Sequence, residues 1–222
     1  MRVLVLAAHM DDETLGVGGT IAKHAAAGDD VHIFIASDRA YNHVFDSHAN
    51  HRERECSRMA AKILGARKPV FGGLHKDETM DERLIDLIVP FEKAVEDVKP
   101  EVVYINHRGD ANQDHRAAFQ AAVIACRVWA GHRVSRVLCY EVPSSTEFAP
   151  PFPEYAFQPN VFVDISKHLD RKIEALQAYG RELRDFPHPR SRGGVEALAR
   201  KRGTEAGFLA AEAFILVRDS WG

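Results

Sequence analysis

Residues Val3-Leu4-Val5-Leu6-Ala7-Ala8 form an unbroken apolar run. It stops against His9-Met10-Asp11-Asp12-Glu13, and Gly16-Val17-Gly18-Gly19 follows. A short run that is apolar at every position, not at alternate ones, fits a strand covered on both faces, as in a parallel sheet. Ligands of such sheets gather at the carboxyl ends of strands. The titratable side chains at 9–13 therefore stand where chemistry is expected. Imidazole with carboxylate is a donor set for zinc or another first-row divalent ion. A neighbouring carboxylate outside the donor set would serve as base toward water. The competing account makes Asp11, Asp12 and Glu13 an acidic helix start that caps the helix and complements its dipole.

Beyond this stretch the chain alternates. The pattern predicts a helix over 15–27, a strand over 31–36 and an irregular polar segment over 37–50 that contributes to the mouth of a site. A helix over 51–64 closed by Gly65, a strand over 69–71 and a long amphipathic helix over 80–98 with Pro90 near its middle come next. A strand over 102–105 and a helix reaching about Ala130 follow, then a strand over 134–140 and an aromatic, proline-rich loop over 147–160. Short strands over 161–163 and 211–217 bracket helices over 167–183 and 194–206. Alternating strands and helices specify an α/β fold, a Rossmann-like three-layer sandwich with a mainly parallel sheet and helices on both faces. We read it as a single domain over 1–222. The Gly16-x-Gly18-Gly19 spacing is not a dinucleotide fingerprint, and carboxylates occupy the turn that would bind phosphate.

Composition narrows the function. The formal net charge is −3, which gives no reason to expect nucleic acid or an anionic membrane as partner. No apolar run approaches membrane-spanning length. The first strand begins almost at once, leaving no room for a signal peptide, and the three cysteines (Cys56, Cys126, Cys139) are odd in number. Both points lead us to expect reduced thiols and a cytoplasmic location.

A second cluster, Asp110-Ala111-Asn112-Gln113-Asp114-His115-Arg116, also follows a predicted strand. Both clusters then lie on one edge of the sheet, where His9, Asp12 and His115 can meet on one ion with a position left for water. Two histidines and one carboxylate form a recognised catalytic zinc set.

These residues also carry a family resemblance. Ala8-His9-Met10-Asp11-Asp12-Glu13 is similar to the Ala-His-Pro-Asp-Asp-Glu signature of the LmbE/PIG-L metal-dependent deacetylases. Asn112-Gln113-Asp114-His115 resembles their His-Pro-Asp-His motif. The likeness continues through Arg52-x-x-Glu55, Glu141-Val142-Pro143-Ser144-Ser145-Thr146, His188-Pro189-Arg190-Ser191 and Arg202-Gly203-Thr204-Glu205. It implies one zinc ion per chain on His9, Asp12 and His115, with Asp11 as the general base toward metal-bound water. It also implies an N-acetylated amino sugar or its conjugate as substrate, and assembly as a trimer or hexamer. Arg52 would lie near the substrate.

Two positions depart from the pattern. Met10 replaces proline, and Asn112 replaces a histidine that polarises the carbonyl or protonates the leaving amine. We therefore look to His188, held between two prolines, for the missing acid. Asp114 is expected among the catalytic carboxylates, and Asn112, His107 and Ser144 among the substrate contacts. Two other classes remain in view. One is a magnesium-dependent phosphoesterase, against which the imidazoles count. The other is a sugar-binding module without turnover.

Overall fold

The computed structural model describes residues 1–129 and 131–221. The chain runs through β1 (Arg2–Ala7), α1 (Asp12–Ala26), β2 (Asp30–Ser37), the hairpin strands β3 (Ala40–Tyr41) and β4 (Val44–Phe45), and α2 (Ser47–Leu64). It continues through β5 (Val70–Leu74), α3 (Ile85–Val98), β6 (Val102–Asn106), α4 (Gln113–Ala125) and β7 (Arg136–Tyr140). Strand β8 (Val161–Asp164), α5 (Leu169–Ala178), α6 (Arg192–Ala206) and β9 (Ala211–Asp219) complete it.

Seven strands form one sheet in the order β5-β2-β1-β6-β7-β9-β8. The first five are parallel; β9 is antiparallel to both β7 and β8. The period of two in β1 divides its apolar run between two cores. Val3, Val5 and Ala7 pack with Ile21 of α1, Ala60 and Leu64 of α2, and Ile173 of α5. Leu4, Leu6 and Ala8 pack with Leu87 and Phe91 of α3 and with Ala118 and Ala121 of α4. Helices therefore cover both faces, as the continuous apolar run requires. No helix among the described residues is long and apolar enough to cross a membrane. Cys56, Cys126 and Cys139 are all free thiols.

Several boundaries differ from the periodicity reading. The segment 37–50 holds the β3–β4 hairpin, and α2 starts early because the Asp46 carboxylate caps it by accepting from the His48 and Ala49 N–H groups. Helix α3 starts at Ile85, not 80, because the Glu78 and Met80 N–H groups are turned onto the Asp114 carboxylate. Helix α5 ends at Ala178, after which the chain turns back toward the site. Helix α4 closes at Ala125, and the expected end at Ala130 lies outside the described residues.

Helix α1 lies unusually near its neighbours. A Cβ on Gly16 would collide with the Tyr140 ring and stand 2.8 Å from the Glu141 carbonyl oxygen; one on Gly19 would stand 2.7 Å from Ile165 Cδ1. Gly16→Ala should therefore destabilise the protein by about 1–3 kcal/mol through overpacking. Denaturant unfolding with an unchanged midpoint would show that the neighbours give way freely.

Candidate metal centre and active site

Strands β1 and β6 lie side by side, but their chains continue to opposite sides of the sheet, to β2 and to β7. That switch point opens a crevice at the strands' carboxyl ends. The loop after β1 brings His9 and the start of α1 into it. The loop after β6 brings Asp110 and the first turn of α4.

Three donor atoms converge there. His9 Nδ1 lies 3.3 Å from His115 Nε2, His115 Nε2 3.3 Å from Asp12 Oδ2, and His9 Nδ1 3.6 Å from Asp12 Oδ2. All three residues are buried. Tetrahedral zinc with bonds of about 2.0–2.1 Å separates its ligands by about 3.3–3.4 Å, close to the edges of this triangle. Asp12 Oδ2 also accepts from the His9 N–H at 3.0 Å and from Asn106 Nδ2 at 3.2 Å, whereas its Oδ1 is buried without a hydrogen-bond partner.

The outward nitrogens face carboxylates. His9 Nε2 lies 2.9 Å from Asp77 Oδ1 and 3.1 Å from Asp114 Oδ2; His115 Nδ1 lies 3.2 Å from Asp110 Oδ2. Protons on the outer nitrogens leave lone pairs facing inward, which is the tautomer a metal requires. Asp110 is itself fixed by the Ser145 and Thr146 hydroxyls, the latter at 2.6 Å. Asp114 accepts from the Glu78 and Met80 N–H groups at 2.6 and 3.1 Å. Asp77, Asp114 and His9 Nε2 form a second possible donor set. We read it as the outer support of the first, because the carboxylates orient the same ring.

Burial alone would raise the Asp12 pKa, but His115 and His9 hold it well below the usual carboxylate range. Burial pulls His115 down, yet Asp12 and Asp110 outweigh it and raise the ring to about 9. His9 is likewise raised, against burial, by Asp114, Asp12 and Asp77.

Asp11 stands outside the donor triangle. It is fully buried, takes up φ 100°, and its side chain makes no capping hydrogen bond to α1. The capping account therefore fails at this residue. Arg190 Nη1 donates to Asp11 Oδ2 at 2.7 Å, and Arg39 Nη1 approaches Oδ1 at 3.6 Å, leaving Oδ1 buried without a hydrogen bond. Burial raises the Asp11 carboxyl to about 6; Arg190 and Arg39 oppose the shift and Asp12 adds to it. The backbone is held by Glu13, whose Oε2 accepts from the Asp11 N–H at 3.1 Å. Glu13 accepts in turn from Tyr179 Oη at 2.6 Å and Thr14 Oγ1 at 2.7 Å, and burial pushes it up to about 7.

The remaining expected residues divide. Arg52 is exposed on α2 and makes no polar contact among the described residues. The guanidinium groups at the site are instead Arg39 and Arg190. Arg39 is pinned by Asn50, which accepts from its N–H at 2.7 Å and donates to its carbonyl at 2.9 Å. Asp114 acts behind His9, as a positioning group. Ser144 Oγ accepts from Arg190 Nε at 2.5 Å, so it steadies that arginine. His107 Nε2 donates to the Tyr155 carbonyl at 3.1 Å and its ring packs edge-on to Phe157. Burial lowers its pKa, and it anchors the aromatic loop. Asn112 caps α4, its Oδ1 accepting from the Asp114 N–H at 2.8 Å. His188 is half-buried, with Nδ1 accepting from the Arg190 N–H at 3.1 Å.

Sequence reading gave no role to Arg39, Asp77, Asp110, Glu182 or Arg190. Asp110 and Arg190 lay inside the quoted motifs. Arg39, Asp77 and Glu182 carry no local signal and meet only in the fold, Glu182 accepting from Arg190 Nη1 at 2.9 Å.

Comparison with known proteins gives the family and the fold. The family model described as PIG-L, GlcNAc-PI de-N-acetylase, matches residues 4–126. The uncharacterized deacetylase YaiS of Escherichia coli is 30% identical over 189 residues, covering 80% of this chain and 89% of that protein. Among solved structures, GalB, the 4-carboxy-2-hydroxymuconate hydratase of Pseudomonas putida, superposes with a TM-score of 0.78 at 24% identity, covering 100% of this chain and 98% of that one. N,N'-diacetylchitobiose deacetylase of Pyrococcus horikoshii superposes with a TM-score of 0.76 at 19% identity, covering 97% and 83%. At these identities the two structures establish the shared fold.

The raised imidazoles carry a testable consequence. A histidine raised from 6.5 to about 9 favours its protonated form in the metal-free protein, and that form cannot bind zinc. Zinc affinity should therefore rise with pH throughout the range below about 9 and level off above it. Binding near neutrality should release at least one proton. The metal-free protein alone should lose stability as pH rises from about 6.5 to about 9, as the charged ring loses its proton. Calorimetry in buffers of different ionisation enthalpy measures the released protons; none at neutral pH would contradict the donor set.

Proposed function

Because the chain belongs to the PIG-L family of de-N-acetylases, we propose that it is a zinc-dependent hydrolase removing an N-acyl group, acetyl foremost, from an amino sugar or its conjugate. The observation that carries the reading is the buried triangle of His9, Asp12 and His115 with a separate carboxylate, Asp11, beside it. The family supplies the substrate class. The hydratase neighbour is a reminder that one fold serves several reactions, so the amide must be argued from the site.

An amide is a poor electrophile with a poor leaving group. When bound, zinc polarises a carbonyl and lowers the pKa of water to roughly 7. Asp11 takes the proton of the attacking water. With its carboxyl raised to about 6 it is ionised at neutral pH, yet basic enough for proton transfer. Arg190 occupies Oδ2 and leaves Oδ1 to receive the proton. Two neighbouring carboxylates are needed because one that ligates an ion cannot also serve as free base. His188 accepts at Nδ1, so its neutral ring carries the proton on Nε2. We assign it to protonating the leaving amine. The Asn112 amide, whose oxygen is engaged in the cap, keeps its NH₂ for the substrate carbonyl side.

Metal analysis of the purified protein, with acetate release assayed with and without chelator on free and nucleotide-linked N-acetylated sugars, tests the whole reading. Active zinc-free protein, or phosphate release alone, would overturn it. The two adjacent aspartates give a sharper test. Asp12→Ala should lose zinc and activity together. Asp11→Asn should keep zinc and substrate affinity while turnover falls by about 10²–10⁴-fold. If Asp11→Asn loses the metal and Asp12→Ala keeps it, the two roles are reversed.

A further inference from the structure

We propose that Glu212, on the closing strand β9, is a positioning residue for the metal-binding turn of α1, acting through a buried ion pair with Lys172 of α5. The proposal rests on the reading of His9, Asp12 and His115 as ligands.

In an α-helix the N–H of residue i donates to the carbonyl of i−4, so the acceptor due to Gly19 is Leu15. Here the Gly19 N–H donates to Glu212 Oε1 at 2.8 Å and the adjacent Thr20 N–H to Glu212 Oε2 at 2.7 Å, although both lie in the interior of α1. The Leu15 carbonyl receives Lys172 Nζ at 2.6 Å, and Lys172 Nζ also donates to Glu212 Oε1 at 2.6 Å. A buried carboxylate and a buried ammonium thus engage backbone donors and a backbone acceptor in the interior of α1. Side chains bonded to the main chain within a helix can set its direction.

The pair is 4–5% exposed, and charged residues are rarely so buried. Stability alone does not account for it, since apolar residues of similar size commonly replace such a pair without loss. Its position suggests what it does. The turn on the N-terminal side of the wedge carries Asp12, and it is held by its own contacts: Glu13 to Tyr179, and Asp12 through Asn106 to Tyr140 Oη at 3.1 Å. The remainder of α1 packs on the sheet through Ile21 and Ala22. Glu212 and Lys172 fix the second turn of α1 from β9 and α5, and so set where the first turn presents the carboxylate of Asp12.

The test reads zinc affinity by chelator competition in folded protein well below its melting temperature. Glu212→Gln, which keeps one acceptor and loses the charge, should weaken zinc binding about 10–100-fold, the range found for groups that support metal ligands. The double variant Glu212→Leu/Lys172→Met removes both charges and both side-chain contacts to the α1 backbone. It should keep the parent's circular dichroism and still bind zinc more weakly by a similar factor. A lowered melting temperature with parental zinc affinity in these variants would leave a structural role only and overturn the proposal. Should either variant not fold, the unaltered protein decides. By reciprocity, zinc loading should slow hydrogen exchange of the Gly19 and Thr20 amides by about tenfold or more, and unchanged exchange there would overturn it. A parent protein that binds no zinc at all would instead sink the metal reading itself.

Discussion

Asp11, Asp12, Asp77, Asp110 and Asp114 are all buried around two imidazoles, and so much carboxylate withdrawn from water holds together only with positive charge in its midst. Much of the architecture at this edge of the sheet follows from that need. Arg39 and Arg190 converge on Asp11 from the β3 hairpin and from the segment before α6. Ser145 and Thr146 tie the loop after β7 to Asp110. The same need explains why both imidazoles are raised, and why a divalent cation at the inward-facing atoms would complete a balance that the side chains approach only by protonation.

The topology supplies the meeting point and local chemistry supplies the aim. Asn106, the last residue of β6, shows how tightly the two are joined: its Nδ2 donates to Asp12, and its Oδ1 accepts from the Ala8 N–H and Tyr140 Oη. One amide side chain therefore registers β1, β6 and β7 at the rim of the crevice. The family's proline is replaced by Met10, which is buried in the core of the α1 face; apolar packing takes over from ring stiffness at that position. Asn112 gives up an ionisable ring for a helix cap, which moves the search for a proton donor to His188.

Much of this was legible in the sequence. The apolar run of β1 announced a two-sided parallel sheet, and the two polar clusters after strands pointed to His9, Asp12 and His115, which the fold brings together. What stayed hidden has a common cause. Arg39 and Asp77 sit in segments without periodicity, and they matter only because the fold carries them to His9 and Asp11. Arg52 had motif spacing in its favour, but the phase of α2 turns it to solvent. The helix expected from residue 80 begins later because a distant carboxylate captures its first N–H groups. Such competition between local propensity and tertiary partners leaves no trace in a window of neighbouring residues.

Asp114 is gripped by two backbone N–H groups, those of Glu78 and Met80. Every amino acid but one can supply an N–H, so this support for the histidine runs through the main chain and is closed outright only to proline at two positions. A segment without sequence periodicity is thus bound to the candidate metal site through its main chain. Its contribution would survive exchanges that respect the left-handed backbone of Glu78 and the core packing of Met80, yet not the loss of a residue, which would shift both donors out of reach.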